Sequence, residues 1–379
     1  MDWRICIVTF NVNMKQPTAE VVDVLLKQFE QEPPHLLVVG MQEVAHAETI
    51  GGAVVTWQRL MRKWAVEKGK MVLLTKNYQA TNQITIFVKK RLVAAIRRID
   101  YRFARNTLGG LTGHKGSIGV RIQLQSPFSI VFVGSHFIHD VAANDKRLAQ
   151  FATNETCSFP EDQSVIQAIG RNDYLKFIDQ EQLKLAQRTN DAFIGYEEGK
   201  ISFPPTYKMI IGSTRHDPKR TPSWTDRILY KGNTIESISY TSNPKCLISD
   251  HIPVTAQLRL HLPTNPEAQW KVVFEHVPTW FSSIPLIGRF RTDAHYWSKN
   301  GSYRDWVGLF PASIEDCTSA THWVYVATCL TETIAEENFQ ICEFMQVDVG
   351  EYRLGYFSAY LNCLVGLSKS FKVQKQPQE

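Results

Sequence analysis

The chain has 379 residues and a net charge of +5, from 42 Lys and Arg against 37 Asp and Glu. Its 44% hydrophobic and 21% charged fractions are those of an ordinary globular protein. The mild basic excess suits an anionic substrate or membrane surface, and it is too even for a typical nucleic-acid-binding domain, so no nucleic-acid partner is expected. The length predicts two domains.

Seven scattered cysteines without CxxC pairs argue against a disulfide framework. Met1-Asp2-Trp3 leads straight into a strand-like run, with no signal peptide, and no apolar stretch approaches the roughly 20 residues that span a bilayer. A reducing cytoplasmic setting with peripheral membrane association is the resulting expectation. The sequons at Asn154 and Asn300 then carry no meaning.

Residues 4–12 (RICIVTFNV) are β-rich and predict a buried strand. Val21, Val22, Leu25, Leu26 and Phe29 fall at helical spacing over 18–31, with Thr18 as N-cap and Pro33-Pro34 as the stop. A second apolar run, 36–40, ends at Gln42-Glu43. This strand–helix–strand opening predicts an α/β fold. Strands are predicted at 70–75, 83–88, 117–124, 128–136, 226–230 and 252–260, and helices over 163–189. The pattern predicts layered sheets with helices outside.

The polar segment 261–269 holds two prolines and is expected to be a linker. Residues 270–372 carry short aromatic and β-branched runs parted by turns, which predicts a small all-β sandwich, followed by a polar tail over 373–379. The expected catalytic-type domain is 1–260.

Four apolar runs border polar residues. Asn11 follows IVTF, Glu43 follows LLVVGMQ, His136 follows SIVFVGS, and Asp250-His251 precede IPVTAQL. A rigid strand end is a good place to hold such a side chain. Each taken alone is unremarkable. Together they offer oxygen ligands for a hard cation, Glu43 and Asn11 with Asp250 nearby, and histidines for phosphate oxygens. Mg²⁺ takes oxygen ligands and keeps several waters, which leaves room for a phosphate. A protonated His251 would relieve phosphoryl charge, and Asp226 is the carboxylate that would orient it and raise its pKa.

The segments TFNVN, GMQEV, TGHKGSIGVR, GSHF, FPPTYK, PSWTDRIL and SDHIPV occur in that order. The series resembles the inositol polyphosphate 5-phosphatases of the endonuclease/exonuclease/phosphatase superfamily, over about residues 3–260. The resemblance implies a deoxyribonuclease I-like layered β-sandwich flanked by helices. It also implies Mg²⁺-dependent removal of the 5-phosphate from PI(4,5)P₂, PI(3,4,5)P₃ or soluble inositol polyphosphates. In that frame Glu43 is the main metal ligand with Asn11 beside it. His251 contacts the scissile phosphate, oriented by Asp226, while Asp250 supports the metal and the water and His136 contacts the phosphate. Lys115, Tyr207, Lys208, Lys219 and Arg220 grip the inositol phosphates, which suits point-charge lysines and forked arginines. As a bare motif, Lys219-Arg220 is equally a solvated loop, and Trp224 is more often core than ligand-binding.

Three departures stand out. The GHKG motif has His114 where the family usually has Asn. Asp140 falls where the family has a second histidine. The family's strand ending in G-D-x-N, whose Asp activates the attacking water, is missing from 137–200, and the gap falls near 152–162. Losing a general base costs typically ~10²–10⁴-fold. The alternative to a phosphatase is therefore a catalytically impaired phosphoinositide-binding or scaffold protein. A nuclease is a weaker third reading, because FPPTYK and PSWTDRIL belong to the 5-phosphatase branch. VVFEHVP, SYRDWVGLFP and THWVYV resemble a SKICH domain. That resemblance implies either membrane targeting, towards phosphoinositide headgroups, or a protein partner.

Overall fold

The computed structural model describes residues 2–45, 56–107, 112–124, 128–137, 175, 177–178, 181–263, 269–292, 301–334 and 337–376. Asp140, the segment 152–162 and the first part of the helices expected at 163–189 lie outside the described residues.

β1 (Asp2–Asn11) lies at the centre of a six-stranded sheet. It pairs in parallel with β2 (Leu36–Gln42) and antiparallel with β11 (Val254–His261). β10 (Ile235–Ser242) forms one edge, and β4 (Asn82–Lys89) followed by β3 (Met71–Gln79) forms the other. Both faces of β1 are buried, as period-2 geometry requires of a strand apolar at nearly every position. Cys6, Val8 and Phe10 face α1 (Ala19–Leu26) and α2 (Trp57–Glu67), with Val22, Leu25, Leu26, Met61 and Trp64. Trp3 and Ile5 face the opposite core. There the antiparallel sheet of β5 (Arg98–Thr107), β6 (Thr112–Gln123) and β7 (Ser129–His136) contributes Ile118, Val120, Ile122, Ile130 and Phe132. This two-layered α/β arrangement is the fold class expected from the sequence.

Several elements differ from expectation for local reasons. The Thr18 hydroxyl does cap α1, accepting from Val21 N at 3.3 Å, but the helix tightens into a 3₁₀ turn at Lys27–Phe29. β6 begins five residues earlier than its apolar run. Its glycines allow this: a Cβ on Gly116 would sit 2.3 Å from the Ala104 carbonyl of β5. The strand expected over 226–230 shrinks to β9 (Leu229–Tyr230), paired with β8 (Glu197–Glu198). Residues 226–228 bond to side chains instead, with Ile228 N donating to the Tyr240 hydroxyl at 3.0 Å. β5 and β10 lack a continuous apolar run and are held by sheet pairing, whereas α2 carries Trp57, Met61, Trp64 and Ala65 at helical spacing, a signal outside the expected elements. α3 (Gln182–Thr189) is the described part of the helical region, capped by Glu181.

From Val272 onward the described residues are all β apart from one 3₁₀ turn at Val326–Thr328, in a sheet of ten strands. β15 (Trp306–Pro311) and β19 (Gly350–Ser358) form its centre, with Asp305 buried and accepting from Ala359 N and the Tyr356 hydroxyl. β21 (Phe371–Gln374) runs into the segment expected to be a tail, with Phe371 and Val373 buried. This β region meets the catalytic-type sheet along edge strand β3. Leu73 N donates to Glu315 O and Cys317 N to Leu73 O, both at 2.9 Å. Ile99 N donates to Leu361 O at 2.9 Å, and Lys90 Nζ reaches the Ser313 carbonyl at 2.8 Å. An edge strand's open groups are thereby paired. The six described cysteines are free.

Candidate active site

The end of β1 and the loop before β11 are laced together by one hydroxyl. Ser249 Oγ donates to the Asn11 carbonyl at 2.7 Å and accepts from His251 N at 3.2 Å. The motif around Asp250-His251 is thus fixed to the C-terminal end of the central strand. Asn11 Oδ1 accepts from Asn13 N at 3.0 Å, turning the chain sharply after the strand. Asn13, Met14 and Glu43 all have positive φ, 46°, 56° and 55°. Non-glycine residues rarely adopt this region, and such strain concentrates at functional sites. The Met14 N to Glu43 O bond, 2.7 Å, joins the two strained turns.

His251 Nδ1 donates to Asp226, 3.0 Å from Oδ2 and 3.2 Å from Oδ1. Asp226 also accepts from the Thr206 hydroxyl at 2.6 Å and the Thr225 hydroxyl at 3.0 Å. Burial pushes the Asp226 carboxyl up, but the His251 charge and these hydrogen bonds outweigh it and hold the carboxyl below its ordinary value. Burial pushes His251 down, and Asp226 outweighs it, with Asp250 and Glu43 adding to the effect, so its pKa is raised. The pair is a buried imidazolium–carboxylate dyad. The Tyr207 ring lies 4.4 Å from the His251 ring, centroid to centroid, and tilted by 32°. This contact holds the imidazole from its face.

A second cluster gathers around Glu43. Lys115 Nζ on β6 and His136 Nε2 at the end of β7 are 2.6 Å apart. Glu43 Oε1 is 3.8 Å from the lysine and 3.5 Å from the histidine. Burial lowers the Lys115 pKa, and Glu43 partly restores it. Among the described residues, no group of three or more His, Cys, Asp or Glu side chains is arranged to hold a metal. Asn11 pairs with Gln42 across β1 and β2, and Glu43 follows Gln42, so two oxygen-bearing side chains of the type Mg²⁺ uses come from neighbouring strand ends.

The structure therefore brings Asp226, His251, Asp250 and Tyr207 together, and separately Glu43, Lys115 and His136. Their fields overlap, because Asp250, Glu43 and Arg220 all act on the Tyr207 hydroxyl, whose pKa burial raises most. Lys208 is turned to Asp217, 3.8 Å away, and Lys219 is exposed on the same loop.

Sequence reasoning missed the supports of this site. Thr206 and Thr225 sit inside the recognised motifs, yet nothing local marks them as partners of Asp226. Arg227, next to Asp226, has a side chain only 6% exposed and donates to Glu198 at 2.6 and 2.5 Å and to Glu181 at 2.7 Å. Lys184 Nζ, 2.9 Å away, and the Tyr240 hydroxyl, 2.9 Å away, complete the Glu198 environment. Sequence separations of 46 and 29 residues from Arg227 hid these acids.

The comparisons with known proteins fit this geometry. The model for "Endonuclease/Exonuclease/phosphatase family 2" matches residues 8–164 and 153–257, and the SKICH domain model matches 272–373. Phosphatidylinositol 4,5-bisphosphate 5-phosphatase A of Mus musculus is 23% identical over 100% of this chain, which spans 42% of that relative's length. Inositol polyphosphate 5-phosphatase K of Mus musculus is 23% identical, covering 97% of this chain and 89% of the relative. Synaptojanin of Caenorhabditis elegans is 28% identical over 61% of this chain and 24% of its own. Among solved structures, the inositol polyphosphate 5-phosphatase domain of SpSynaptojanin, with inositol (1,4)-bisphosphate and calcium, superposes with a TM-score of 0.59. The match is 22% identical and covers 69% of this chain and 84% of that one. A Cimex nitrophorin superposes almost as well, with a TM-score of 0.57 and 19% identity over 69% of this chain and 99% of that one. The likeness to solved structures therefore establishes the fold alone. By its family model this chain belongs to the endonuclease/exonuclease/phosphatase family, its residues 272–373 match the SKICH domain model, and the curated relatives it resembles include inositol polyphosphate 5-phosphatases.

Proposed function

We propose that this chain is a phosphoinositide-directed 5-phosphatase, with Mg²⁺ as its cofactor. Its substrates are PI(4,5)P₂, PI(3,4,5)P₃ or the corresponding soluble inositol phosphates. The observation that carries the reading is the His251–Asp226 dyad, faced by Tyr207 and anchored to β1 through Ser249. With Nδ1 engaged by Asp226, His251 keeps Nε2–H for a non-bridging phosphoryl oxygen. The Asp226 carboxylate raises the His251 pKa and so favours the charged form of that donor. Glu43 and Asn11 would hold the cation, with Asp250 at its edge. When bound, the cation neutralises phosphoryl charge and polarises the scissile group. Hydrolysis forms a P–O bond from water and breaks the bond to the ring 5-oxygen, which leaves protonated. Lys115 and His136 would contact the phosphate, while Tyr207, Lys208, Lys219 and Arg220 would grip the ring phosphates. Peripheral association with a cytoplasmic membrane face follows from that substrate. Among the described residues no helix is long and apolar enough to cross a membrane.

The second reading is a phosphoinositide-binding scaffold. It is favoured by the missing G-D-x-N element near 152–162 and by the family match falling into two segments that overlap there. One experiment separates the two. Purified chain is given PI(4,5)P₂ vesicles and MgCl₂, with His251→Ala as the control. Phosphate release above the control supports the phosphatase. Vesicle binding with no release above the control overturns it in favour of the scaffold.

A further inference from the structure

The loop after FPPTYK forms a hairpin over residues 208–217. Met209 bridges His216, Ile210 N donates to Arg215 O at 2.8 Å, and Asp217 N donates to Lys208 O at 2.8 Å. Its tip turns through Gly212 at φ 79°, where an added Cβ would meet nothing within 4 Å. Two backbone bonds fix the hairpin to the segment that carries the dyad. Gly212 N donates to Leu247 O at 2.9 Å, and Met209 N to Asp250 O at 2.8 Å. Met209 turns inward and is buried, whereas Ile210 and Ile211 point out, 39% and 47% exposed.

One exposed isoleucine on a surface is unremarkable, but two adjacent ones on a braced tip beside a phosphate site form a distinct feature. The surroundings are cationic. Arg215, Lys219 and Arg220 are exposed on the same loop, and Lys245 is exposed on the loop that Gly212 bonds to. The single acid of the hairpin, Asp217, faces Lys208. A small apolar tip ringed by fixed positive charge is complementary to the headgroup boundary of an anionic bilayer, where apolar groups enter shallowly and cations meet lipid phosphates. A protein partner needs about 800 Å² on each side, which two side chains on a tip do not supply.

We propose that the Ile210–Ile211 tip is a membrane-docking wedge that enters the boundary of an anionic lipid surface and holds the dyad against the headgroup layer. The inference deepens the phosphoinositide reading and rests on it for the choice of a lipid surface, but it needs no turnover. The test is flotation of the full chain with phosphatidylcholine vesicles, with and without phosphatidylserine and lacking phosphoinositides. Wild type should float with the anionic vesicles and not with the neutral ones. Ile210→Ser with Ile211→Ser should lose about tenfold or more in vesicle affinity. The variant's melting temperature and its calorimetric binding of a soluble inositol polyphosphate should stay unchanged. Arg215→Glu with Lys245→Glu should weaken flotation in a salt-dependent manner. The inference is overturned if wild type fails to float, if it floats equally with neutral vesicles, or if the double serine variant floats like wild type. It is also overturned if soluble-ligand binding falls in parallel, since the tip would then act on the site rather than on the bilayer. Flotation that holds while phosphate release fails would sink the phosphatase reading and leave the wedge standing.

Discussion

The two halves of the candidate site are built differently. Around Asp226 the acceptors are saturated: His251, Thr206 and Thr225 all point at one buried carboxylate. Around Glu43 a carboxylate on a left-handed backbone faces an amine and an imidazole at 3.5–3.8 Å. The first half is completed by residues within two recognised motifs and a third that lies next to the central strand. The second draws on strands far apart in sequence. A carboxylate saturated with close donors is held by its own partners, while one that meets its partners at longer range depends on the strands that carry them.

The largest expected effect comes from repairing the weaker half. Grafting a relative's strand ending in G-D-x-N between residues 152 and 162 should raise kcat on PI(4,5)P₂ by about 10²–10⁴. An unchanged kcat in a folded graft would show that the chain does not depend on that element. Next comes the foundation of the stronger half. Arg227→Met removes the guanidinium shared by the buried Glu181 and Glu198 and leaves Lys184 as the cation beside Glu198, which should cost about 3–5 kcal/mol of unfolding free energy. Chemical denaturation measures this, and a loss below about 1 kcal/mol would mean that water reaches the acids.

Asp226→Asn tests the dyad itself. The carboxyl is held below its ordinary value of 3.8, so its contribution is present above that value and is lost as pH falls through the lowered folded value. His251 is raised above its ordinary value of 6.5, so its contribution is complete below 6.5 and is lost as pH rises through the raised folded value. The wild-type advantage over Asp226→Asn should therefore peak between the two, at about 2 kcal/mol. It should shrink at both ends of a pH series of melting curves. In the variant, burial acts on His251 with its main counter-charge gone, and an NMR titration should place the imidazole below its ordinary value. The smallest effect is expected on the loop. Lys219→Ala should weaken binding of a soluble inositol polyphosphate by about 0.5–1 kcal/mol, less at high salt, by calorimetry.

Much of the fold was legible in the chain. β1 and β2 carry nearly continuous apolar runs because they are covered on both faces, while β4 keeps a run at 84–88 and β11 alternates apolar with polar residues over 254–260, and both patterns survive in any context. β5 escapes a search for continuous apolar runs, although RIDYRFARNT sets Ile99, Tyr101 and Phe103 between charged residues at the period of a half-exposed strand. β9 was over-called as 226–230, because Asp226 and Arg227 are claimed by side-chain partners before they can join a ladder. The pairing of Asp226 with His251 was legible through the motifs. The cross-brace of Ser249 and the acids beneath Arg227 were not, because hydrogen-bond partners that meet across 29 to 238 residues leave no local spacing.

PSWTDRIL and SDHIPV, then, were determined by sequence alone, as were the family they mark and the buried strands that carry the site. Side-chain chemistry and period-2 burial are properties of short stretches, so a single chain displays them. The tertiary structure decided which atoms meet. It set His251 against Asp226 under Tyr207, placed Glu43 opposite Lys115 and His136, and turned two isoleucines outward beside them. Those outcomes depend on distances between segments far apart in the chain, which only the closed packing of both sheets fixes.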